Sequence, residues 1–308
     1  MKKYAIIDIG SNTIRLCIYQ VQGHSFKLVA KKRNVAGLAA YVDRKASDVN
    51  RKYNLQEEGI EKLISVLQDF KEVCKTYSVT SVMPIATASL RLISNARDVI
   101  NRVQKEVGFK IEILSGNEEA AFSYAGARQG FKVKDGLLVD IGGASTELVY
   151  FKNQKVVKSC SMPIGSLNCY EKYVSRIIPT KVEQNRIRKD VLEMLDGISL
   201  PDSARGLTLC GVGGSVRNIG KLHRSLFNGN GENISYKELK NILEHFKEEK
   251  KACLDVILKV APHRIHTLVP GMVILKTIAK YFDCKDILVC KYGVREGYFV
   301  SQMQKETI

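Results

Sequence analysis

The sequence predicts an α/β protein made of two similar domains. Strand-like and helix-like segments alternate along its 308 residues, as expected when helices pack against sheets. One motif also occurs twice, as DIGSNTIRLCIY at Asp8–Tyr19 and as DIGGASTELVYF at Asp140–Phe151. Each copy follows a short apolar run and predicts a strand, a glycine-rich turn and a second strand. The long spacing predicts one turn in each domain, with the two turns facing each other, and not a short-period repeat protein.

Periodicity predicts the elements between the two turns. Apolar residues at 60, 63, 67, 70, 74 and 77 follow a helical period, and Gly108 is a plausible end for the next helix. A third helix is predicted to begin at Asn117-Glu118-Glu119. The expected helices are 54–77, 95–107 and 117–128, and the expected strands are 4–7, 79–86 and 110–114.

The same patterns continue after the second turn. Strands are expected at 148–151, 156–160, 206–212 and 287–290, and helices at 166–173, 182–195, 216–222, 236–246, 251–260 and 269–281, with a final helix after Gly293. We therefore expect an N-terminal domain at 1–124 and a C-terminal domain at 125–308. An arrangement in which the final helix docks back on the first domain stays open.

Composition excludes several classes of protein. With 45% hydrophobic and 26% charged residues, the chain is expected to fold and not to be disordered. No stretch reaches the ~18 apolar residues of a membrane span. Asp8 interrupts the first apolar run, which favours a strand over a secretory signal peptide. Eight cysteines without a C-x-x-C pair predict reduced thiols and a cytoplasmic location.

The net charge of +16 favours a polyanionic partner, which could be a nucleic acid, a phosphorylated substrate or an anionic membrane. A solubilising surface is the plain alternative. Because the basic residues are spread along the chain and form no tail, a basic arm is not expected.

The two glycine-rich turns are the main candidates for phosphate binding. A turn after a strand can direct backbone amides at one anion, and glycine lets the backbone approach closely. Ser11, Asn12 and Thr13 in one turn, and Ser145 and Thr146 in the other, add side-chain donors. Asp8 and Asp140 begin the two motifs, and a carboxylate beside phosphate implies Mg²⁺ or a positioned water. One such turn could be an ordinary hairpin, but the pair favours a phosphate site.

Two adjacent glutamates open the third predicted helix. An acidic helix start is favoured by the helix dipole, so capping explains one of them. Neighbouring helical residues point in different directions, so the other can point into a cleft. Hydrolysis of a phosphoanhydride needs a base that orients the attacking water. Both roles stay open for Glu118 and Glu119.

Two further segments are candidates for phosphate binding. Arg91 follows a strand and a turn of small residues, where a guanidinium can hold phosphate with two hydrogen bonds. A surface arginine is the alternative. Gly211–Ser215 is expected to form a third phosphate- or nucleotide-facing loop between a strand and a helix. The chain has no Walker loop and no H-E-x-x-H metal motif.

These motifs together resemble the exopolyphosphatase/guanosine pentaphosphate phosphohydrolase family of the actin-like ATPase superfamily. The similarity covers nearly the whole chain through DIGSNTIRL, IATASLR, SGNEEA, DIGGASTEL, GVGGSVRNIG and YGVREGYF. SGNEEA placed before DIGG-x-STE is the specific combination. Sugar kinases and actin-like chaperones share only the two phosphate turns.

The resemblance implies two ribonuclease-H-like domains around a central cleft. It implies release of terminal orthophosphate from polyphosphate, or of the γ-phosphate from guanosine pentaphosphate (pppGpp), with Mg²⁺ or another divalent cation. By motif position Glu119 would be the catalytic base, and Asp140 and Glu147 would organise the metal and the water. The candidate metal ligands are Asp8, Asp140 and Glu147, and the candidate phosphate-binding residues are Ser11, Asn12, Thr13, Arg15, Arg91, Gly142, Gly143, Ser145, Gly213, Gly214 and Ser215.

The chain departs from the family pattern at three points. Ala144 replaces a third glycine, so this position must have an ordinary backbone conformation if the turn is preserved. Ser89 replaces an alanine in IATASLR. The additional C-terminal helical domains of long members are not expected, so the resemblance does not extend to the grip on long substrates that those domains would supply.

Exopolyphosphatase activity is the leading hypothesis, because a charge of +16 attracts a long polyanion more than a single nucleotide. A pppGpp hydrolase, a phosphotransferase, a catalytically weak phosphate- or ppGpp-sensing module and a DNA-binding regulator are the alternatives. Retention of Asp8, Glu119, Asp140 and Glu147 counts against a pure sensor. We expect neither a nucleic-acid nor a membrane partner, and a homodimer stays open.

Overall fold

The computed structural model describes residues 2–23, 25–43, 53–227, 229–248 and 250–306. The chain divides into two compact units, Met1–Ser115 and Gly116–Ile308. Each unit contains its own sheet with helices packed against it. The predicted α/β class is therefore confirmed.

The first unit is a five-stranded sheet in the order β3-β2-β1-β4-β5. Its strands are β1 (Lys3–Ile9), β2 (Ile14–Gln22), β3 (Ser25–Asn34), β4 (Ser81–Ala86) and β5 (Glu112–Ile113), and its helices are α1 (Glu57–Thr76), α2 (Ala88–Arg91) and α3 (Ala96–Val107). A short 3₁₀ turn, Leu38–Tyr41, follows β3. The apolar face of α1, including Leu63, Leu67 and Phe70, is buried in the same core as β1 residues such as Ile7. Gly108 ends α3 in the left-handed conformation, at φ 82°.

The second unit contains a six-stranded sheet in the order β10-β11-β9-β6-β7-β8. Its strands are β6 (Gly136–Ile141), β7 (Thr146–Lys152), β8 (Lys155–Met162), β9 (Thr208–Val212), β10 (Asn233–Ser235) and β11 (Asp286–Val289). Its helices are α4 (Gly116–Ala127), α5 (Ser166–Tyr173), α6 (Lys181–Asp196), α7 (Gly213–Phe227), α8 (Tyr236–Glu248), α9 (Lys250–Val260), α10 (Leu268–Tyr281) and α11 (Val294–Glu306).

Both sheets have the same connectivity around the repeated motif. In the first unit, β1 pairs antiparallel with β2, β2 with β3, and β4 joins β1 in parallel. In the second, β6 pairs antiparallel with β7, β7 with β8, and β9 joins β6 in parallel. The repeat in sequence is therefore a repeat in structure.

The second sheet is covered on both faces. Val139 belongs to the core that contains residues of α6, α7 and α10, whereas Leu138 belongs to the core with Tyr124 of α4. Because side chains alternate along a strand, Asp140 shares the α4 face with Leu138. The strand pattern thus directs the first carboxylate of the second motif toward α4.

Two predicted boundaries differ from the structure. The division placed at 124/125 falls inside α4, which belongs wholly to the second unit. Gly213, Gly214 and Ser215 are not a loop but the first turn of α7, which begins directly after β9. Gly213 opens this helix with a left-handed backbone, a conformation that glycine adopts readily.

All eight cysteines lie within the described residues, and each is a free thiol. Within the described ranges we find no helix with the length and apolarity needed to span a bilayer.

Candidate active site

The two glycine-rich turns have equivalent internal hydrogen bonds. The amide of Gly10 donates to the carbonyl of Thr13 at 3.2 Å, and the amide of Gly142 donates to that of Ser145 at 2.9 Å. A Cβ on either glycine would lie 3.0–3.1 Å from that same carbonyl oxygen. Neither glycine has a positive φ. The turns therefore require glycine for close backbone approach and not for a left-handed conformation.

In each unit, the segment that follows the third strand of the repeated arrangement, β3 or β8, donates backbone hydrogen bonds to carbonyl groups of the glycine-rich turn. In the first unit, the amides of Gly37 and Ala39 donate to the carbonyls of Asn12 and Ser11. In the second, the first amides of α5, from Ser166 to Asn168, donate to the carbonyls of Gly142 and Gly143. These four carbonyl groups are thus engaged within their own unit. Ala144 has no positive φ, as the replacement of glycine at this position requires.

The first unit brings together one set of predicted residues. Asp8 on β1 lies directly opposite Arg15 on β2, so the two side chains project from the same face of the sheet. Ser11 and Thr13 in the turn are buried. The hydroxyl of Ser89 donates to the carbonyl of Ile9, which ties α2 to the end of β1.

Arg91 occupies the last position of α2. Its guanidinium donates to the carbonyl of Leu114 at 2.8 Å. It is therefore a half-buried arginine held within its unit, and not a fully solvated one.

The second unit brings together the three carboxylates that the sequence assigns to catalysis. Asp140 on β6 lies directly opposite Glu147 on β7, a position that places Cβ atoms about 4.5–5.5 Å apart. Glu119 approaches from α4. Only 6% of Glu119, 8% of Asp140 and none of Glu147 is exposed to solvent. Acidic residues are almost never buried to this extent unless they have partners.

The fold distinguishes the two adjacent glutamates. Glu119 is buried within the second unit, whereas Glu118 is exposed. Because Glu119 also interacts electrostatically with Glu147, it is the glutamate that belongs to the carboxylate cluster.

Hydroxyl groups hold the other two carboxylates. Ser123 of α4 donates to Oδ2 of Asp140 at 2.6 Å, and Ser161 of β8 donates to Oε1 of Glu147 at 2.8 Å. Sequence reasoning missed both serines. Two signals could have found them: Ser123 lies four residues after Glu119 and therefore on the same helix face, and Ser161 is the strand partner of Glu147.

The electrostatics of the cluster are dominated by Glu147. Burial raises the pKa of this carboxyl well above its usual range, and the negative charges of Glu119 and Asp140 raise it further. Hydrogen bonds from Ser161 and Ser145 act in the opposite direction and lower the pKa. The site therefore holds more negative charge than it can stabilise alone, and a bound cation would relieve the repulsion.

Other predicted donors have internal partners. The hydroxyl of Ser215 donates to the carbonyl of Ile141 at 2.9 Å, and that of Thr146 donates to the carbonyl of Ile164 at 2.6 Å. These two hydroxyls are therefore engaged within the second unit. Gly213 instead lies directly against the cluster, because a Cβ there would be only 2.3 Å from Oδ1 of Asp140.

The donor set fits a hard divalent cation of the Mg²⁺ type, because Asp140 and Glu147 supply carboxylate oxygens. Mg²⁺ is usually held by one or two carboxylates together with water and substrate phosphates. In the part of the chain that the structure describes, no three His, Cys, Asp or Glu side chains are grouped so that they could hold a metal ion. The residues fit a site that the phosphate substrate completes, and not a cage made by the protein alone.

The chain belongs to the Ppx/GppA phosphatase family, whose model matches residues 17–306. The crystal structure of the Aquifex aeolicus member of this family superposes with a TM-score of 0.79 at 27% sequence identity, covering 100% of this chain and 99% of that one. The fold and the motif-based resemblance are therefore confirmed.

Two curated relatives are longer than this chain. The bifunctional 3-dehydroquinate synthase/phosphatase of Fusobacterium nucleatum is 31% identical over 306 residues, which cover 92% of this chain and 44% of that protein. Retrograde regulation protein 2 of Saccharomyces cerevisiae is 27% identical, over 98% of this chain and 55% of that protein. The chain thus spans about half the length of the curated relatives it matches.

Proposed function

We propose that this protein is a phosphoanhydride hydrolase that releases terminal orthophosphate from inorganic polyphosphate. The observation that carries the proposal is the buried cluster of Glu119, Asp140 and Glu147 beside the turn at Gly142, in a member of the Ppx/GppA phosphatase family. A protein that only bound phosphate would gain nothing from burying three carboxylates next to a polyanion, because like charges repel.

In the proposed reaction Glu119 is the general base. It accepts a proton from water as the water oxygen forms a bond to the terminal phosphorus. The bond between that phosphorus and the bridging oxygen breaks, and its electron pair leaves with the shortened chain. Glu119 suits this task because α4 holds it in a buried position where bulk water cannot compete.

The phosphate groups would be held by the backbone amides of the turns and by Ser145. The hydrogen bonds from α5 to the carbonyl groups of Gly142 and Gly143, and the bond from the Gly142 amide to Ser145, hold this turn in a fixed conformation. Asp140 and Glu147 would hold Mg²⁺ or another divalent cation. When bound, that cation would neutralise charge on the phosphates and oppose the rise in the pKa of Glu147.

Within the first unit, Asp8, Arg15 and Arg91 are the candidates for a second phosphate-binding role. The turn at Gly10 repeats the hydrogen bonding of the turn at Gly142, which supports a second phosphate-binding role. The net charge of +16 supports a long polyanionic substrate over a single nucleotide, and eight free thiols are consistent with a cytoplasmic location.

A substrate panel tests the proposal. Orthophosphate release is measured from polyphosphates of several lengths, from pppGpp and from ATP, with and without Mg²⁺, at one ionic strength. We expect the highest kcat/KM with polyphosphate and no turnover without a divalent cation. A higher kcat/KM with pppGpp than with polyphosphate of any length would assign the protein to the nucleotide instead, and no release from any substrate would refute the hydrolase.

Replacement of Glu119 tests the base. Glu119→Gln keeps the size of the side chain but cannot take the proton, so kcat should fall by about 10²–10⁴-fold while KM changes little. Glu118→Gln is the matched control, because Glu118 is the exposed neighbour on the same helix. If Glu118→Gln is the slow variant and Glu119→Gln is not, the base has been assigned to the wrong residue.

A further inference from the structure

The motif YGVREGYF, at Tyr292–Phe299, has no place in the mechanism above, yet it meets the helix that carries Glu119. At the crossing of α4 and α11, a Cβ on Gly297 would lie 1.8 Å from the carbonyl oxygen of Phe122 and 2.7 Å from the amide nitrogen of Gly126. From the other side, a Cβ on Gly126 would lie 2.0 Å from the carbonyl oxygen of Gly293. Real Cβ atoms essentially never come within 3.0 Å of another atom. The two helices therefore touch backbone to backbone.

This crossing adds to the apolar packing of α4 on its sheet and to two further contacts near the carboxylates. At the start of the helix, a Cβ on Gly116 would lie 2.4 Å from the Cβ of Ser161, whose hydroxyl binds Glu147. In the middle, Ser123 donates to Asp140. The Gly126–Gly297 crossing holds the end. Glu119 lies between the first two contacts, so its position depends on how the helix is seated.

We propose that Gly126 and Gly297 are positioning residues for the reaction: their close crossing seats α4 so that the carboxylate of Glu119 stands where the attacking water is held. The inference rests on the proposed function in taking Glu119 as the base. It assigns a role to the YGVREGYF motif that does not involve contact with substrate.

The contacts of the phosphate-binding turn are separate from this crossing. Gly142 bonds to Ser145 within the turn and to Ser166 of α5, and neither contact includes α11. Loss of the crossing should therefore displace the base while the turn at Gly142 keeps its own hydrogen bonds. The kinetic signature is a lower kcat at nearly constant KM.

The geometry sets the size of the effect. A methyl group at 297 must gain more than 1 Å of separation from Phe122 to reach an allowed contact. Misplacement of a catalytic group by about 1 Å can cost about 10²-fold in rate. We expect Gly297→Ala and Gly126→Ala each to lower kcat for polyphosphate by about 10–10²-fold and to change KM by less than about threefold.

Gly130→Ala is the matched control. It makes the same substitution just beyond the end of α4, but its Cβ would lie 3.4 Å from the ring of Tyr292, an ordinary contact. We expect parental kcat for this variant. A folded Gly297→Ala protein with parental kcat would overturn the inference, as would a Gly130→Ala protein with the same loss.

A combined variant separates positioning from general loss of structure. If Gly297 acts through Glu119, then adding Gly297→Ala to Glu119→Gln should cost almost nothing further, because no base remains to be positioned. Two losses that multiply would refute the inference. A fully active Glu119→Gln variant would refute the assignment of the base. An inactive Glu119→Gln variant together with a fully active Gly297→Ala variant would refute only the positioning role of the crossing.

A milder variant covers the case in which Gly297→Ala does not fold. The rings of Phe122 and Tyr298 meet edge to face across the crossing, with centroids 5.2 Å apart. Tyr298→Leu loosens this contact without adding atoms. We expect a severalfold lower kcat at unchanged KM, and an unchanged kcat in this folded variant would contradict the inference.

Discussion

Gly213 is the residue at which the structure makes its sharpest prediction. It combines a left-handed backbone, at φ 82°, with a Cβ position only 2.3 Å from Oδ1 of Asp140. Gly206 in the same unit has a similar backbone, at φ 71°, but no atom within 4 Å of its Cβ position. Both glycines have a left-handed backbone, but only at Gly213 would a Cβ atom clash with a neighbouring side chain.

The two alanine variants should therefore separate the two costs. Left-handed backbone in a residue with a Cβ costs about 1–2 kcal/mol, so Gly206→Ala should lose about that much free energy of unfolding and keep its activity. Gly213→Ala carries the same cost and must also move the Asp140 carboxylate by about 1 Å. That movement weakens the hydrogen bond from Ser123, an interaction worth about 1.5–3 kcal/mol because the acceptor is charged.

The assays are urea unfolding and orthophosphate release from polyphosphate. Gly213→Ala should lose about 3–5 kcal/mol of unfolding free energy and about 10²-fold in kcat/KM. The reasoning is refuted if folded Gly213→Ala has the kcat/KM of the parent. It is equally refuted if Gly206→Ala is as inactive as Gly213→Ala, because backbone strain alone would then account for the loss.

Two further predictions concern acid stability and salt. Although burial alone would raise the pKa of Glu183, hydrogen bonds from the amides of Thr180 and Ser175 lower it to about 2. The ionised form therefore stabilises the fold by about 3 kcal/mol above pH ~4.5, and this contribution is lost as the pH falls toward 2. Urea unfolding from pH 7 to pH 2 should show the difference between the parent and Glu183→Gln shrinking, whereas a constant difference would contradict the assignment. Because salt screens charges over a Debye length of about 8 Å at physiological ionic strength, KM for polyphosphate should rise steeply with KCl, and a flat KM would exclude the net charge as a source of affinity.

Local sequence determined most of the secondary structure and the two turns. The apolar period in Glu57–Thr76 specifies α1, and the glycine at 108 specifies the end of α3, both without reference to the rest of the chain. The repeated motif predicted two equivalent strand–turn–strand units, because each copy carries its own glycine and its own apolar strands. β3 escaped prediction because it is largely exposed and rich in lysine, so its only strong specification is the pairing with β2.

Tertiary structure decided which of the candidate groups belong together. Glu118 and Glu119 are equivalent in sequence, and only packing of α4 on its sheet buries one and exposes the other. The hydroxyls of Ser123 and Ser161 reach Asp140 and Glu147 from different elements, a convergence that no local pattern encodes. The closeness of Gly126 to Gly297 arises only when two helices separated by most of the second unit cross. The spacing of residues along the chain determines which local elements form. Burial, pKa shifts and backbone contacts depend on distances in space, and only the folded chain defines those distances.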